Sequence, residues 1–63
     1  MAVVTVQLFA GRTIEQKRNL ARAINEAMVE HVGARAETCH VIIQEIPKEN
    51  WGRAGILASD RTE

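Results

Sequence analysis

Cysteine is nearly absent from this chain. Its single example, Cys39, excludes an internal disulfide. One cysteine and two well-separated histidines, His31 and His40, give no zinc-ligand spacing. Proline occurs once, as Pro47, and aromatic residues twice, as Phe9 and Trp51. Excess charge is missing too. Eight basic residues meet eight acidic ones, which argues against a nucleic-acid partner held by bulk charge. No apolar run reaches the roughly 18 residues of a membrane span, and no secretory pattern opens the chain. The expectation is a cytoplasmic protein with no membrane attachment.

These absences bear on stability. A chain of 63 residues buries only about 60% of the surface its unfolded form exposes and is marginal alone. Small scaffolds add disulfides, a metal or association. The first two being excluded, association remains. One domain over residues 1–63, held in an obligate oligomer, is expected.

What is present reads as three elements. "AVVTVQLF" (Ala2 to Phe9) is rich in β-branched residues, and Val4, Val6 and Leu8 alternate with Thr5 and Gln7, the pattern of a strand. Ala10 to Arg12 form a short loop. "TIEQ" (Thr13 to Gln16) fits a capping box, in which the Thr13 hydroxyl satisfies a free amide and Gln16 reaches back. Leu20, Ala23, Ile24, Ala27, Met28 and His31 then recur at helical spacing as one apolar stripe. Gly33 suits a left-handed stop, so the helix spans roughly residues 14–32. "CHVIIQEI" (Cys39 to Ile46) is a second strand whose near-continuous apolar content suits one covered on both faces. "PKENWG" is a turn-rich segment, "ILAS" a short terminal strand or hairpin arm, and the final "DRTE" a frayed end.

Strand, crossover helix and strand make one α/β unit: a βαβ motif with a parallel two-stranded sheet, a right-handed crossover and a short C-terminal hairpin or strand. The helix covers one sheet face. The other face and both edges stay open and invite pairing, so neighbouring subunits must cover them.

Several residues have the chemistry for a site. Arg12 lies between the carboxyl end of the first strand and the helix start, where ligands of α/β sheets gather and anions are favoured. It is either an anion binder or a solvated loop arginine. Arginine outnumbers lysine six to two, and the guanidinium fork grips carboxylates bidentately. Trp51 either walls a pocket or packs at a subunit interface. His40 reads as an interface histidine or a ligand, and Cys39 as a small core residue. Arg35 and Arg53 read as surface residues. The chain's start is at the opposite end of the first strand from Arg12. Ten residues at about 3.3 Å each put roughly 30 Å between them. A site using both must borrow Arg12 from another subunit.

The first-residue strand, "GR" followed by "T-x-E-Q-K", the single amphipathic helix, "VIIQEIPKENWG" and the terminal "LAS" together resemble the 4-oxalocrotonate tautomerase family over nearly the whole chain. The resemblance implies a hexamer built as a trimer of dimers of βαβ subunits. It also implies a small carboxylate substrate of the 2-hydroxy-dienoate kind and a keto–enol proton transfer. In the family, the base is an amino-terminal proline exposed by loss of the initiator methionine. Arg12 matches the arginine that binds a substrate carboxylate and draws electron density toward it. Trp51 matches the aromatic residue that makes the pocket apolar. The position of a second arginine holds His40, and the position of the proline holds Ala2. No cofactor or metal is implied, because the proton shuttle uses an amine and positive charge.

The departure at Ala2 carries the largest consequence. The base is a backbone amine, so with Met1 removed Ala2 offers a primary amine. Such a group ordinarily titrates at about 7.7–8.0 and falls on burial beside cations. It lacks proline's rigid ring, and a large loss of rate is expected. With Met1 retained, the amine moves by about 3.5 Å, too far for catalysis that depends on placement. Three arrangements follow: a tautomerase with impaired activity, the proline-free subunit of a mixed hexamer with a proline-bearing homologue, or a non-catalytic hexamer that binds a small carboxylate. His40 binds a carboxylate only when protonated, so any affinity it gives a diacid rises as pH falls below about 6.5. Arg53, just after the tryptophan, is a second candidate for that charge.

Overall fold

The computed structural model describes residues 1–61. The first strand, β1 (Ala2–Phe9), runs into the helix α1 (Ile14–Val32). A 3-10 turn, Ala36–Thr38, leads to β2 (Cys39–Ile46). A second turn, Lys48–Asn50, leads to the short strands β3 (Gly52–Arg53) and β4 (Ile56–Leu57), and a third, Ala58–Asp60, follows. β1 and β2 pair in parallel with Ala2 opposite Cys39 and Phe9 opposite Ile46. β3 and β4 pair antiparallel. The expected βαβ unit with a C-terminal hairpin is the observed fold.

Local chemistry sets the helix ends. The Gln16 amide donates to the Thr13 hydroxyl at 3.1 Å, and the Thr13 amide donates to Gln16 Oε1 at 2.9 Å. This is the capping box read from the sequence. At the other end Gly33 takes φ 71°, and the Ala34 amide donates back to the Met28 carbonyl at 3.2 Å, satisfying an orphan acceptor of the last turn.

The helix face differs from the expected stripe. Leu20, Ile24 and Met28 are half-buried, but Ala23, Ala27 and His31 are exposed, and Lys17, Ala21 and Asn25 complete the covered strip. A two-stranded sheet is narrow. The helix meets it along one row, and that row is centred between Leu20 and Ala21 rather than on the alanines beyond. β2 likewise is not covered on both faces in the single chain: His40, Ile42 and Gln44 are exposed while their neighbours are not.

The exposed sheet face carries Val3, Thr5 and Gln7 from β1 and His40, Ile42 and Gln44 from β2. Val3 is 57% and Ile42 50% exposed, and one hydrogen bond, Gln7 Nε2 to Gln44 Oε1 at 2.9 Å, crosses the strands there. Among the described residues none is fully buried. The accessible surface is 4906 Å², against about 4,000 Å² for a compact monomer of 7.0 kDa. The radius of gyration is 14.7 Å, against about 11 Å for a compact domain of this length. The chain is an elongated shell with apolar surface left uncovered.

The hairpin turns through Ala54 (φ 54°) and Gly55 (φ 79°). Two central residues with positive φ are what a two-residue hairpin of the right twist requires, and at Ala54 a side chain is held in the left-handed region. The expected fraying of the last four residues does not hold for the first two. Asp60 closes the last turn, and Arg61 is half-buried with its guanidinium donating to the Arg53 carbonyl at 2.9 Å. Backbone and side-chain bonds made within this segment order it. Thr62 and Glu63 lie outside the described residues.

Candidate active site

The elements gather the candidate residues at two ends of the subunit. Phe9, at the carboxyl end of β1, meets Trp51, which follows the 3-10 turn after Pro47. Their ring centroids are 4.6 Å apart with planes at 62°, an edge-to-face pair worth about 0.5–1.5 kcal/mol beyond its area. Trp51 is fixed from both sides. Its amide donates to the Lys48 carbonyl at 3.3 Å and its carbonyl accepts from the Ala58 amide at 2.8 Å. The Lys48 ammonium lies 5.6 Å from the centre of the Phe9 ring, a cation–π distance. These residues, with Arg53, Ala58 and Arg61, line a cavity of about 180 Å³.

Arg12 is presented at the same end. Gly11 precedes it with φ 119°, a backbone state open to glycine and few others. The loop is tied down by Glu45 on β2. Its Oε1 accepts from Lys17 Nζ at 2.6 Å, and its Oε2 accepts from the Gly11 amide at 3.3 Å. Hydrogen bonding to Lys17 above all, then to Gly11, holds the Glu45 carboxyl below its ordinary range. One side chain thus links the second strand, the first turn of the helix and the loop that carries Arg12. Arg12 itself is exposed.

Ala2 lies at the other end. With Met1, Val32, Gly33, Ala34, Arg35 and Thr38 it lines a cavity of about 230 Å³ beside the carboxyl end of α1. His40 belongs to that end too: it pairs with Val3 and points into the exposed sheet face. One chain therefore brings Trp51 and the Arg12 loop together, and Ala2 and His40 to the same end, but the two groups stand at opposite ends of β1. Among the described residues no group of three or more His, Cys, Asp or Glu side chains gathers that would hold a metal ion.

Sequence reasoning missed Phe9, Lys48 and Arg61 at one end and Arg35 and Thr38 at the other. Phe9 carried a signal: it is the only other aromatic residue, and it closes the strand that feeds the Arg12 loop. For Lys48, Arg61, Arg35 and Thr38 no linear pattern existed, because their neighbours in space come from segments distant along the chain.

Comparison with known proteins places this geometry in context. A family model described as tautomerase enzyme matches residues 3–61. The 2-hydroxymuconate tautomerase of Bacillus subtilis is 45% identical over 95% of this chain and 97% of its own length. A solved 4-oxalocrotonate tautomerase homologue superposes with a TM-score of 0.89 at 35% identity, covering 100% of both chains. A chain of the heterohexamer 4-oxalocrotonate tautomerase from Chloroflexus aurantiacus superposes with a TM-score of 0.88 at 32% identity, covering 95% of this chain and 97% of that one.

Proposed function

The chain belongs to the tautomerase family, and from that premise we propose that it assembles into a hexamer whose sites move a proton on a small 2-hydroxy-dienoate or related carboxylate. The observation that carries this reading is the separation within one subunit. The start of the chain and the Trp51 and Arg12 end lie at opposite ends of β1. A site that uses both is completed only when one subunit's Ala2 end meets another's Arg12 end. Among the described residues none is fully buried, and the exposed Val3, Ile42, Ile14 and Val32 supply apolar surface for such an assembly. In the proposed chemistry Arg12 holds the substrate carboxylate and stabilises charge as it shifts toward that end. Trp51 and Phe9 exclude water beside the conjugated chain. The amine of Ala2, once Met1 is removed, takes the proton from the enol oxygen and returns it to carbon. Arg35 lines the same cavity as Ala2. The reaction needs no redox partner, and the cytoplasm is the compartment in this reading.

A second reading has its own support. The neighbour from Chloroflexus aurantiacus is a heterohexamer, so this chain, with Ala2 where the family has its amino-terminal proline, also suits the role of a subunit that lends Arg12 and Trp51 to a partner's base.

The test is direct. Mass spectrometry of the intact chain establishes whether Met1 is on, and the ultraviolet band of a 2-hydroxy-dienoate reports ketonisation. A slow, saturable rate in the pure chain that Ala2→Pro raises steeply supports the first reading. A rate that appears only on mixing with a proline-bearing homologue supports the second. A monomeric 7.0 kDa species in dilute solution removes both.

A further inference from the structure

Glu45 stands in a row that the pattern of β2 otherwise gives to apolar side chains. Cys39, Val41 and Ile43 share its half-covered face, while His40, Ile42 and Gln44 take the exposed one. A carboxylate in such a row is costly unless it is paired. Its pair with Lys17 remains partly exposed, and pairs of that kind add little stability. Stability does not account for an acid at this position; what the acid holds does.

Glu45 Oε1 accepts from Lys17 Nζ at 2.6 Å, and its Oε2 accepts from the Gly11 amide at 3.3 Å. Lys17 above all, then Gly11 and to a lesser degree the Arg12 amide, favour the ionised carboxylate. The loop backbone on either side is tied as well. The Ala10 amide donates to the Ile46 carbonyl at 3.1 Å, and the Thr13 amide donates to Gln16 Oε1 at 2.9 Å. Within this chain of anchors Gly11 is the pivot. A Cβ there would meet nothing within 4 Å, so glycine is required by its φ of 119° and not by lack of space. Glycine has more conformational freedom to lose than any other residue, so an anchor on its amide restricts the loop most. The Arg12 side chain meanwhile is exposed and pairs with no carboxylate among the described residues. A fixed backbone beneath an unpaired guanidinium suits an arginine that meets an external anion, because freedom already lost is not lost again on binding.

We propose that Glu45 is a positioning residue: by bridging Lys17 and the Gly11 amide it fixes the direction from which Arg12 meets a substrate carboxylate. The proposal rests on the reading of Arg12 above as the carboxylate binder and deepens it. Glu45 touches no substrate and acts through Arg12 of its own subunit. Lys17 has a second part, since it neutralises an acid that would otherwise repel an anion held close by.

The probe is sorbate, a planar conjugated acid with one carboxylate and no group that ketonises. Its dissociation constant is measured by titration calorimetry on the assembled protein at about pH 7.5. The fluorescence of Trp51, the only tryptophan, gives a second readout, and circular dichroism confirms that each variant is folded. Arg12→Gln is expected to weaken sorbate about 30-fold, the loss of one charged hydrogen-bonding group. Glu45→Gln is expected to weaken it about fivefold, and Lys17→Met about threefold. In the Arg12→Gln background, Glu45→Gln is expected to cost less than about twofold, because nothing remains for it to position. Glu45→Asp keeps the charge but is a methylene short of bridging both donors, so it is expected to bind sorbate as weakly as Glu45→Gln. An equal cost of Glu45→Gln in both backgrounds overturns the proposal, since Glu45 then acts without Arg12. Affinity unchanged in both Glu45→Gln and Lys17→Met overturns it too. So does full affinity in Glu45→Asp, which assigns the effect to charge alone. An equal loss in Arg18→Gln, on the exposed helix face, reduces the effect to general screening and also overturns it. Arg12→Gln without loss sinks the small-carboxylate reading together with this proposal. Arg12→Gln with its full loss and Glu45→Gln with none sinks this proposal alone.

Discussion

The two ends of the subunit are built differently. At the Trp51 end, aromatic packing and backbone bonds on both sides of the tryptophan hold the cavity walls, and the Lys17–Glu45–Gly11 connection holds the Arg12 loop, all within one chain. At the Ala2 end the cavity is walled by the start of β1, the end of α1 and the turn before β2, and Met1 is 93% exposed. The first end is tied together within one chain. The second offers an amine to whatever packs against it. The difference teaches that this fold fixes the Trp51 end by intrachain bonds and leaves the start of the chain open, as the proposed assembly requires.

Several substitutions break or sharpen that contrast. The largest effect is expected at the Ala2 end. Ala2→Pro, in the chain freed of Met1, is expected to raise kcat about 10²-fold, because a ring fixes the direction of the lone pair and misplacement costs rates of that order. Single-turnover kinetics on a 2-hydroxy-dienoate measure it, and thermal stability is expected to stay level. At the other end Trp51→Ala removes a cavity wall and the Phe9 partner. A loss of about 1–2 kcal/mol, modest because the ring is only half-buried, is expected in denaturant unfolding, together with a rise in KM. Thr13→Ala deletes the cap beside the Arg12 loop and is expected to destabilise by about 1 kcal/mol, seen as a lower Tm. Ala54→Gly relieves the positive φ of the hairpin turn and is expected to stabilise by about 0.5–1 kcal/mol, raising Tm with no change at the Ala2 end.

The smallest effect is a pH dependence. The folded Glu45 carboxyl titrates below its ordinary value because it accepts from Lys17 and Gly11. The stabilisation it gives is therefore complete above the unfolded value, near 4.5, and is lost as pH falls through the lower folded value. Glu45→Gln is expected to flatten that acid-side slope in a Tm series while leaving neutral-pH stability nearly unchanged, since the pair is partly exposed.

Much of this was readable along the chain. The strand bounds followed from β-branched alternation between Ala2 and Phe9, and the helix from Thr13, Gln16 and Gly33, whose roles depend on neighbours three or four residues away. The helix face was misjudged at Ala23, Ala27 and His31, because periodicity states that a stripe exists but not which part of it a narrow sheet touches. Trp51 and Arg12 were legible as site candidates from their flanking motifs. Arg61, by contrast, was read as part of a frayed end, and its bond to the Arg53 carbonyl joins residues that no sequence period relates.

The sequence by itself determined the βαβ order, the helix caps, the neutrality of the chain and its shortage of internal staples. Each of these depends on composition or on contacts within a turn of the backbone. Only the tertiary structure decided which side chains share a cavity. Parallel pairing of β1 with β2 sends Phe9 and Ile46 to one end and Ala2 and Cys39 to the other. The folding back of the hairpin and terminal turn then brings Arg53 and Arg61 to Trp51. Such meetings depend on how distant segments close in space, and that is set by packing rather than by spacing along the chain.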